Sequence, residues 1–327
     1  MTPSTNCAGF CTVVLHPGAL GDVLLAIPAL RALGAAAPDG ELVLAAQPHI
    51  GRLLASLGVV DRCLDFDTLG IDALFGDGPM PERLSSLLTR ARVVSWFGSR
   101  EAGFTERLRS LALESVSAAT VPAGSRAVWE HLLDSVATLA AIEEARREPI
   151  ALRGEHVDAG RRVLLEAGWD GARPLVILHP GAGGAAKRWP VEGFAEVAER
   201  VGHAVDLALV VHEGPADHDV VAALRRRVRA CALVNPTLDV LAGAMHYAAL
   251  VVGNDSGVTH LAAAVGAPTL ALFIAANLGW RPWARHAGVR VVSAPTLMPS
   301  DVEAVVGDAI ALLRAREERV SPAGADR

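Results

Sequence analysis

One short pattern occurs twice in this sequence and limits the folds that the chain can adopt. A buried-type strand runs into His-Pro-Gly at 16–18 and again at 179–181, and a helical pattern follows each time. In the first copy the strand is 12–15, a helix is predicted from Asp22 to Leu33, and Glu41–Ala46 is predicted as the next strand. Two later strands are predicted at Arg62–Phe66 and Arg92–Trp96. Strands that alternate with helices in this way build a parallel sheet with helices on its faces.

The second half repeats the plan after a charged stretch from Ala145 to Gly160 that has no helical period. We therefore predict an α/β chain of two Rossmann-like, doubly wound domains, 1–155 and 156–327, that face a cleft. The last helix, about Pro299–Arg316, is able to pack back on the first domain. Ligands of such sheets lie beyond the carboxyl ends of the strands. Four further strands are predicted in this half: Pro174–Leu178, Leu207–Val211, Leu250–Val252 and Thr269–Ile274.

Length and composition agree with this plan and exclude several classes of protein. The chain has 327 residues, of which 51% are hydrophobic and 4% aromatic, enough for two helix-covered cores. A net charge of −6 argues against a nucleic-acid partner. No segment has the pattern of a secretory signal, so we expect a cytoplasmic protein. Its cysteines are then expected as reduced thiols: Cys7, Cys11, Cys63 and Cys231.

The strand at 250–252 ends in Asn254-Asp255-Ser256-Gly257, and a helix begins at once. Ser256 or Asp255 can cap that helix, whose free N–H groups and dipole suit an anion such as a phosphate. Gly257 lets a ligand approach the backbone closely. An ordinary capped helix of an α/β sheet is the equal alternative on spacing alone.

A second candidate segment is the glycine-rich loop at 179–190, between a strand and a helix. Gly183 and Gly184 bring backbone amides towards a ligand, and Lys187 can neutralise phosphate charge. The loop is neither a P-loop nor a dinucleotide fingerprint, because Ala186 stands where each requires glycine. The alternative is a flexible loop with a solvated Lys-Arg pair.

Two further strand ends carry polar candidates. Glu213 follows the strand 207–211 and can accept hydrogen bonds from ribose hydroxyls, or it can simply flank a helix. Gly18 and Gly21 allow a tight turn against a ligand in the first half. Asp22 lies where that turn becomes helix, as a general base or as an acid that favours the helix dipole.

Together these runs resemble glycosyltransferase family nine, the heptosyltransferases of lipopolysaccharide core synthesis. The matching runs, whose order and spacing fit nearly the whole chain, are Gly21-Asp22-Val23-Leu24 with Pro28-Ala29-Leu30, His179-Pro180-Gly181 with Lys187-x-Trp189-Pro190, and Asn254-Asp255-Ser256-Gly257 with His260-Leu261-Ala262-Ala263. The resemblance implies a GT-B fold with the acceptor on the N-terminal domain and the donor on the C-terminal one. It also implies an inverting, metal-independent transfer with no cofactor. The expected co-substrate is ADP-heptose, and the expected acceptor is a lipopolysaccharide-core-type or other glycan.

By position, Asp22 resembles the family's catalytic base and Lys187 its diphosphate-binding lysine. Glu213 resembles the ribose-binding acid. The donor motif covers Asp255, Ser256, Gly257 and His260, and the nucleobase position covers Pro236, Thr237 and Leu238. The chain departs from the family at Ala182 and Gly183, where members often carry hydroxyls, so amides of Gly183 and Gly184 are expected to replace those contacts.

The acceptor side is less constrained. Gly18, Gly21, Trp96 and Arg100 are our candidates, with core packing as the alternative for Trp96. Arg100 belongs to a set that can grip phosphates of a lipid-linked acceptor at the inner membrane surface, or form solvated helix faces: Arg83, Arg90, Arg92, Arg100, Arg107 and Arg109.

Three other functions stay open from the sequence. A nucleotide-sugar epimerase of the same architecture needs a second acid or nucleophile beside Asp22. An NAD-dependent oxidoreductase is disfavoured by the broken fingerprint at Ala186. A catalytically silent nucleotide-sugar-binding module is disfavoured by the intact Asp22, Lys187 and Asp255.

Overall fold

A computed structural model of the chain describes residues 10–142 and 147–320, with the backbone alone for 316–320. Cys7 therefore lies outside the described residues. The chain forms two compact units, Met1–Arg147 and Glu148–Arg327. Each unit is a parallel sheet covered by helices, which confirms the predicted α/β class.

The N-terminal unit is built on a five-stranded parallel sheet with the order β3-β2-β1-β4-β5. Its strands are β1 (Cys11–Leu15), β2 (Glu41–Ala46), β3 (Arg62–Asp65), β4 (Ala91–Ser95) and β5 (Glu114–Ser117). Its helices are α1 (Leu20–Leu25), α2 (Ile27–Ala36), α3 (Pro48–Ser56), α4 (Glu82–Leu88), α5 (Ala102–Leu111) and α6 (Val128–Ser135). Every residue of β1 is buried, as expected for a central parallel strand.

The helix predicted from Asp22 to Leu33 is two helices in the structure. The first, α1, ends at Leu25, and α2 begins at Ile27 with Pro28 in its first turn. Because proline has no backbone N–H, Pro28 cannot donate the hydrogen bond that would continue α1, but it is tolerated in the first turn of a new helix. The break leaves α1 as a short helix with Asp22 in its first turn.

The C-terminal unit has a six-stranded parallel sheet with the order β11-β10-β9-β6-β7-β8. Its strands are β6 (Leu175–His179), β7 (Ala208–Glu213), β8 (Cys231–Val234), β9 (Ala248–Asn254), β10 (Thr269–Phe273) and β11 (Ala287–Val291). Its helices are α7 (Gly154–Glu166), α8 (Val191–Ala204), α9 (His218–Arg225), α10 (Leu238–His246), α11 (Gly257–Ala264) and α12 (Pro299–Val320).

The charged stretch 145–160 is not an irregular linker throughout, because α7 begins inside it at Gly154. Gly160 of α7 faces Gly243 of α10, and a Cβ built on Gly160 would lie 2.0 Å from the carbonyl carbon of Gly243. The two helices cross at this distance only because neither residue has a side chain. The C-terminal helix α12 packs on α8 and β9 of its own unit.

Both sheets have the same switch point, the place where the strand order reverses. In the N-terminal unit it lies between β1 and β4, and in the C-terminal unit between β6 and β9. The crevice outside the carboxyl ends of these strands is where open α/β sheets bind ligands. Residues just after β1, β4, β6 and β9 are therefore the first places to look for a site.

The described residues bear on the state of the cysteines and on whether any helix could span a membrane. Among the described residues, Cys11, Cys63 and Cys231 are reduced cysteines outside any disulfide bond, as expected. Within 10–142 and 147–320, none of the helices has both the length and the apolar character that crossing a bilayer requires.

Candidate functional site

The turn between β9 and α11 has the capped geometry that the sequence predicts. The hydroxyl of Ser256 accepts a hydrogen bond from the Thr259 N–H at 3.2 Å, which makes Ser256 the N-cap. The Thr259 hydroxyl donates to the Asn254 carbonyl at 2.7 Å and fixes the same turn. The helix therefore starts at the switch point with its remaining N-terminal amides directed away from its own body.

Asn254 joins three segments at this point. It is fully buried, its amide oxygen accepts from the Trp189 N–H at 3.1 Å, and its amide nitrogen donates to the Pro180 carbonyl at 2.8 Å. Because the side chain must both donate and accept, an amide fits here, whereas an apolar side chain or an ionised carboxylate does not. Asn254 thus fixes both ends of the glycine-rich loop onto β9.

Asp255 is the centre of the polar cluster beside the cap. Its carboxylate is 5% exposed and forms an ion pair with the Lys187 ammonium at 2.9 Å. Asn277 donates to the same oxygen at 2.7 Å. The His260 Nε2 lies 3.9 Å from the other oxygen, but burial lowers the pKa of His260, so at neutral pH this contact joins an imidazole and a carboxylate.

Lys187 is the single lysine of the chain, among 30 basic residues. It ends a 3-10 turn at Ala185–Lys187, and its side chain is 37% exposed although its partner Asp255 is buried. The ammonium is therefore held by a buried carboxylate, while part of the lysine side chain remains accessible to a ligand. A compact, strongly hydrated cation of this kind suits a phosphate group.

The glycine-rich loop itself offers backbone rather than side chains. Gly183 is exposed and Gly184 partly exposed, and a Cβ at either position would meet no atom within 4 Å. Ala182 is buried, and its carbonyl accepts from the Arg188 guanidinium at 3.2 Å. Space for a ligand thus exists at Gly183 and Gly184 and not at Ala182.

Glu213, the last residue of β7, has a partner in the structure. Its carboxylate lies 3.0 Å from Nδ1 of the exposed His218, and this hydrogen bond raises the pKa of His218. The N–H of Asn235 donates to the Glu213 carbonyl at 2.8 Å, which brings the turn before α10 to the end of β7. Pro236 and Leu238 of that turn are half-buried and Thr237 is exposed.

A second buried cluster lies at the ends of β6 and β7, where we expected no metal ligands. His179 Nδ1 and His212 Nδ1 are 3.1 Å apart, and Asp217 lies just before α9. One ligand atom from each of the three residues lies within 4.8 Å of the others. Burial lowers the pKa of His179 to about 4 and that of His212 to about 3.

The switch point of the N-terminal unit holds Asp22 and a buried histidine. Asp22 is half-buried in the first turn of α1. A Cβ on Gly18 would lie 2.7 Å from His16 Cε1 and 3.0 Å from Asp22 Cβ, so this turn requires glycine at Gly18. Gly21, directly before Asp22, is half-buried.

The buried side chains of His16 and Trp96 pack against each other at this turn. Burial lowers the pKa of His16 to about 4, and its Nδ1 accepts from the Gly18 N–H at 3.3 Å. Trp96 is 2% exposed, packs edge-on against His16 and donates to the Ser135 hydroxyl at 2.9 Å. The buried position of Trp96 matches the alternative that it packs in the core. Arg100, the other side-chain candidate for the acceptor, is exposed.

Sequence reasoning missed four contributors. Asn277 and Asp217 lie in segments without a motif, and His212 precedes the acid that drew attention. His16 was noted only as part of the His-Pro-Gly repeat. For His16 and His212 the available signal was their position at the ends of buried strands, and Asp217 and Asn277 had no such signal.

Comparison with known proteins agrees with this geometry. The family model described as glycosyltransferase family 9 (heptosyltransferase) matches residues 88–302, well over half of the chain. The match begins after Asp22, so the N-terminal turn lies outside it.

Solved structures show the same architecture over nearly the whole length. A glycosyl transferase family 9 structure from Veillonella parvula has a TM-score of 0.72 at 20% identity and covers 96% of this chain and 99% of that one. The E. coli ADP-heptose lps heptosyltransferase II has a TM-score of 0.68 at 18% identity and covers 94% and 99%. The fold is therefore GT-B, as expected.

Curated relatives match in a shorter segment. The lipooligosaccharide heptosyltransferase 2 of Haemophilus influenzae is 35% identical over 114 residues, 32% of this chain and 32% of that protein. The chain thus matches about a third of the length of such relatives. With the family model spanning 88–302 and the matching architecture, the chain belongs to glycosyltransferase family 9.

Proposed function

We propose that this protein transfers a sugar from a nucleotide-sugar, specifically heptose from ADP-heptose, onto a glycan acceptor of the lipopolysaccharide-core type. The transfer inverts the anomeric configuration and needs no metal ion on the diphosphate. The observation that carries the proposal is the open Lys187 ammonium, held by the buried Asp255 beside the N-terminus of α11 at a switch point.

The leaving group determines what this arrangement can do. When the bond between the anomeric carbon and the diphosphate breaks, negative charge grows on the diphosphate oxygens. Lys187 and the N-terminal amides of α11 are positive and already fixed in place, so they stabilise that charge without reorganising. Asp255 carries a negative charge, and its role is to hold Lys187 and Asn277 and not to contact the phosphates.

The nucleoside is assigned to the neighbouring strand ends. Glu213 accepts hydrogen bonds from the ribose hydroxyls in exchange for its contact with His218, and the turn Pro236-Thr237-Leu238 holds the base. The hydrogen bond between Asn235 and Glu213 supports this pairing, because it brings the two segments together. The name of the E. coli relative supports ADP-heptose as the donor.

Asp22 is assigned as the general base. Its carboxylate takes the proton from the acceptor hydroxyl while that oxygen attacks the anomeric carbon on the side opposite the diphosphate. Gly18, Gly21 and Arg100 are assigned to the acceptor, with Arg100 gripping a phosphate of a lipid-linked glycan at the inner face of the membrane. We expect Asp22→Asn to lower turnover by ~10²–10⁴-fold with donor affinity unchanged.

A single lysine makes the donor site directly testable. Acylation by a limiting amine-reactive reagent, followed by peptide mass spectrometry, gives separate rates for Lys187 and for the terminal α-amine. We expect saturating ADP-heptose to slow acylation of Lys187 and to leave the α-amine, the internal control, unchanged. Equal rates at Lys187 with and without bound donor would contradict the assignment.

Donor identity is tested first by thermal shift with ADP-, GDP-, UDP- and dTDP-sugars. A ligand at ~100 Kd adds about 2.7 kcal/mol of stability, which is easily measured. Sugar transfer in the presence of the core acceptor supports the transferase. Epimerised sugar without acceptor indicates the epimerase, binding without turnover indicates the silent module, and no response to any sugar contradicts the proposal.

A further inference from the structure

The cluster at the ends of β6 and β7 has the composition of a metal site and is separate from Lys187 and Asp255. Leu178 pairs with Val211 in the parallel register, so the next residues, His179 and His212, lie side by side on one face of the sheet. They are 2% and 3% exposed, and their Nδ1 atoms are 3.1 Å apart. The third member, Asp217, is 9% exposed.

The carboxylate of Asp217 is held in place by two glycines. A Cβ on Gly181 would lie 2.3 Å from its Oδ1, and a Cβ on Gly214 would lie 2.8 Å from its Oδ2. The Gly214 N–H donates to Oδ2 at 3.2 Å. A side chain at Gly181 or Gly214 would overlap the Asp217 carboxylate, so both loops pass it this closely only because they have glycine there. The close packing holds the carboxylate beside the two imidazoles.

We propose that His179, His212 and Asp217 bind a divalent transition metal ion, with Zn²⁺ as the reference ion. Two imidazole nitrogens at zinc bonding distance of about 2.05 Å in tetrahedral geometry are about 3.3 Å apart, close to the observed spacing. A hydrogen bond between the two imidazoles joins their Nδ1 atoms without using the Asp217 carboxylate, whose Oδ2 accepts from the Gly214 N–H. A divalent ion uses all three groups and offsets the buried negative charge.

The position of the site indicates a positioning role. His179 begins the His-Pro-Gly turn, whose Pro180 carbonyl is bound by Asn254, and Asp217 precedes α9. A metal ion joining these segments fixes one end of the glycine-rich loop to β7 and α9. It does not contact the reacting atoms and adds no step to the transfer proposed above.

The test is a binding measurement on the full chain. Protein treated with a chelator and then with Zn²⁺ is freed of excess metal by gel filtration, and its metal content is measured by mass spectrometry. We expect about one equivalent in the unaltered protein and in His203→Gln, an exposed histidine of α8. We expect the retained Zn²⁺ to fall at least tenfold in His179→Gln, His212→Gln and Asp217→Asn.

Cobalt gives a second measurement that does not need a variant to fold. Co²⁺ bound by two imidazoles and a carboxylate gives visible bands of a tetrahedral ion without the near-ultraviolet charge-transfer band of thiolate ligands. The proposal is overturned if the unaltered protein retains no metal, in which case the imidazoles share only a hydrogen bond. It is also overturned if the cobalt spectrum shows thiolate ligation, or if folded ligand variants bind Zn²⁺ as well as His203→Gln does.

Discussion

Replacing Asn254 by aspartate tests the hydrogen bonds that hold the glycine-rich loop. The side chain is fully buried and has to accept from the Trp189 N–H and donate to the Pro180 carbonyl. Asn254→Asp keeps the size and shape, but an ionised carboxylate only accepts. The Pro180 carbonyl then loses its donor and faces a negative oxygen at a buried position.

The size of the effect follows from the two losses. An unpaired buried carbonyl costs about 1–3 kcal/mol, and burying the charge adds to that, so we expect a deficit of at least about 3 kcal/mol at pH 8. A protonated carboxyl group can donate through its hydroxyl and accept through its carbonyl oxygen, so it can replace both hydrogen bonds of the amide. Burial raises the pKa of the new carboxyl group, so the deficit is largest above that pKa and shrinks by about 1.4 kcal/mol per pH unit as the pH falls below it.

The assay is denaturant unfolding of the variant and the unaltered protein at matched pH values from 8 to 5, with hydrogen exchange at 185–190 as the local measurement. Asn235→Asp is the matched control, because Asn235 is exposed in the same unit. A deficit that is constant across this pH range, or that grows as the pH falls, would refute the hydrogen-bond pattern that we assign to Asn254.

Three further predictions concern other parts of the chain. Burial lowers the pKa of His16 from 6.5 to about 4, so as the pH falls the unfolded chain binds a proton at this histidine before the folded protein does. The free energy of unfolding therefore falls by about 3 kcal/mol through His16 between pH 6.5 and pH 4, and His16→Gln should remove this part of the loss, measured by urea unfolding. Gly160→Ala should destabilise by more than ~1 kcal/mol because its Cβ meets the backbone of Gly243, whereas Gly307→Ala, in an open position of α12, should stabilise by up to about 1 kcal/mol; equal melting temperatures would contradict this. Lys187→Arg keeps the charge but replaces the compact ammonium, and we expect at least a tenfold loss in kcat/KM for the donor; unchanged kinetics would show that charge alone suffices.

The alternation of strands and helices could be predicted because it depends on local patterns. β2 has the predicted bounds, Glu41–Ala46, and the capping role of Ser256 is as expected. Both depend on neighbours in the sequence: a continuous buried apolar run in the first case and a hydroxyl three residues before an N–H in the second.

Three strands were not predicted, for a common physical reason. β5, β8 and β11 are edge strands of their sheets and are only partly buried. A strand with one pairing partner and a partly exposed surface needs no long apolar run, so its sequence resembles a loop. Pairing with a neighbour already in place determines such strands.

The sequence by itself determined the fold class, the family and the positions at which polar residues leave buried strands. It could not determine which of these polar residues meet. The contact between Lys187 and Asp255 joins positions 68 apart in the chain, and the contact between His179 and His212 joins positions 33 apart. The strand order of the sheet places β6 between β7 and β9, and this order brings these residues together. Only the tertiary structure therefore decided that the Asp255 carboxylate holds the lysine and that two imidazoles face one another beside Asp217.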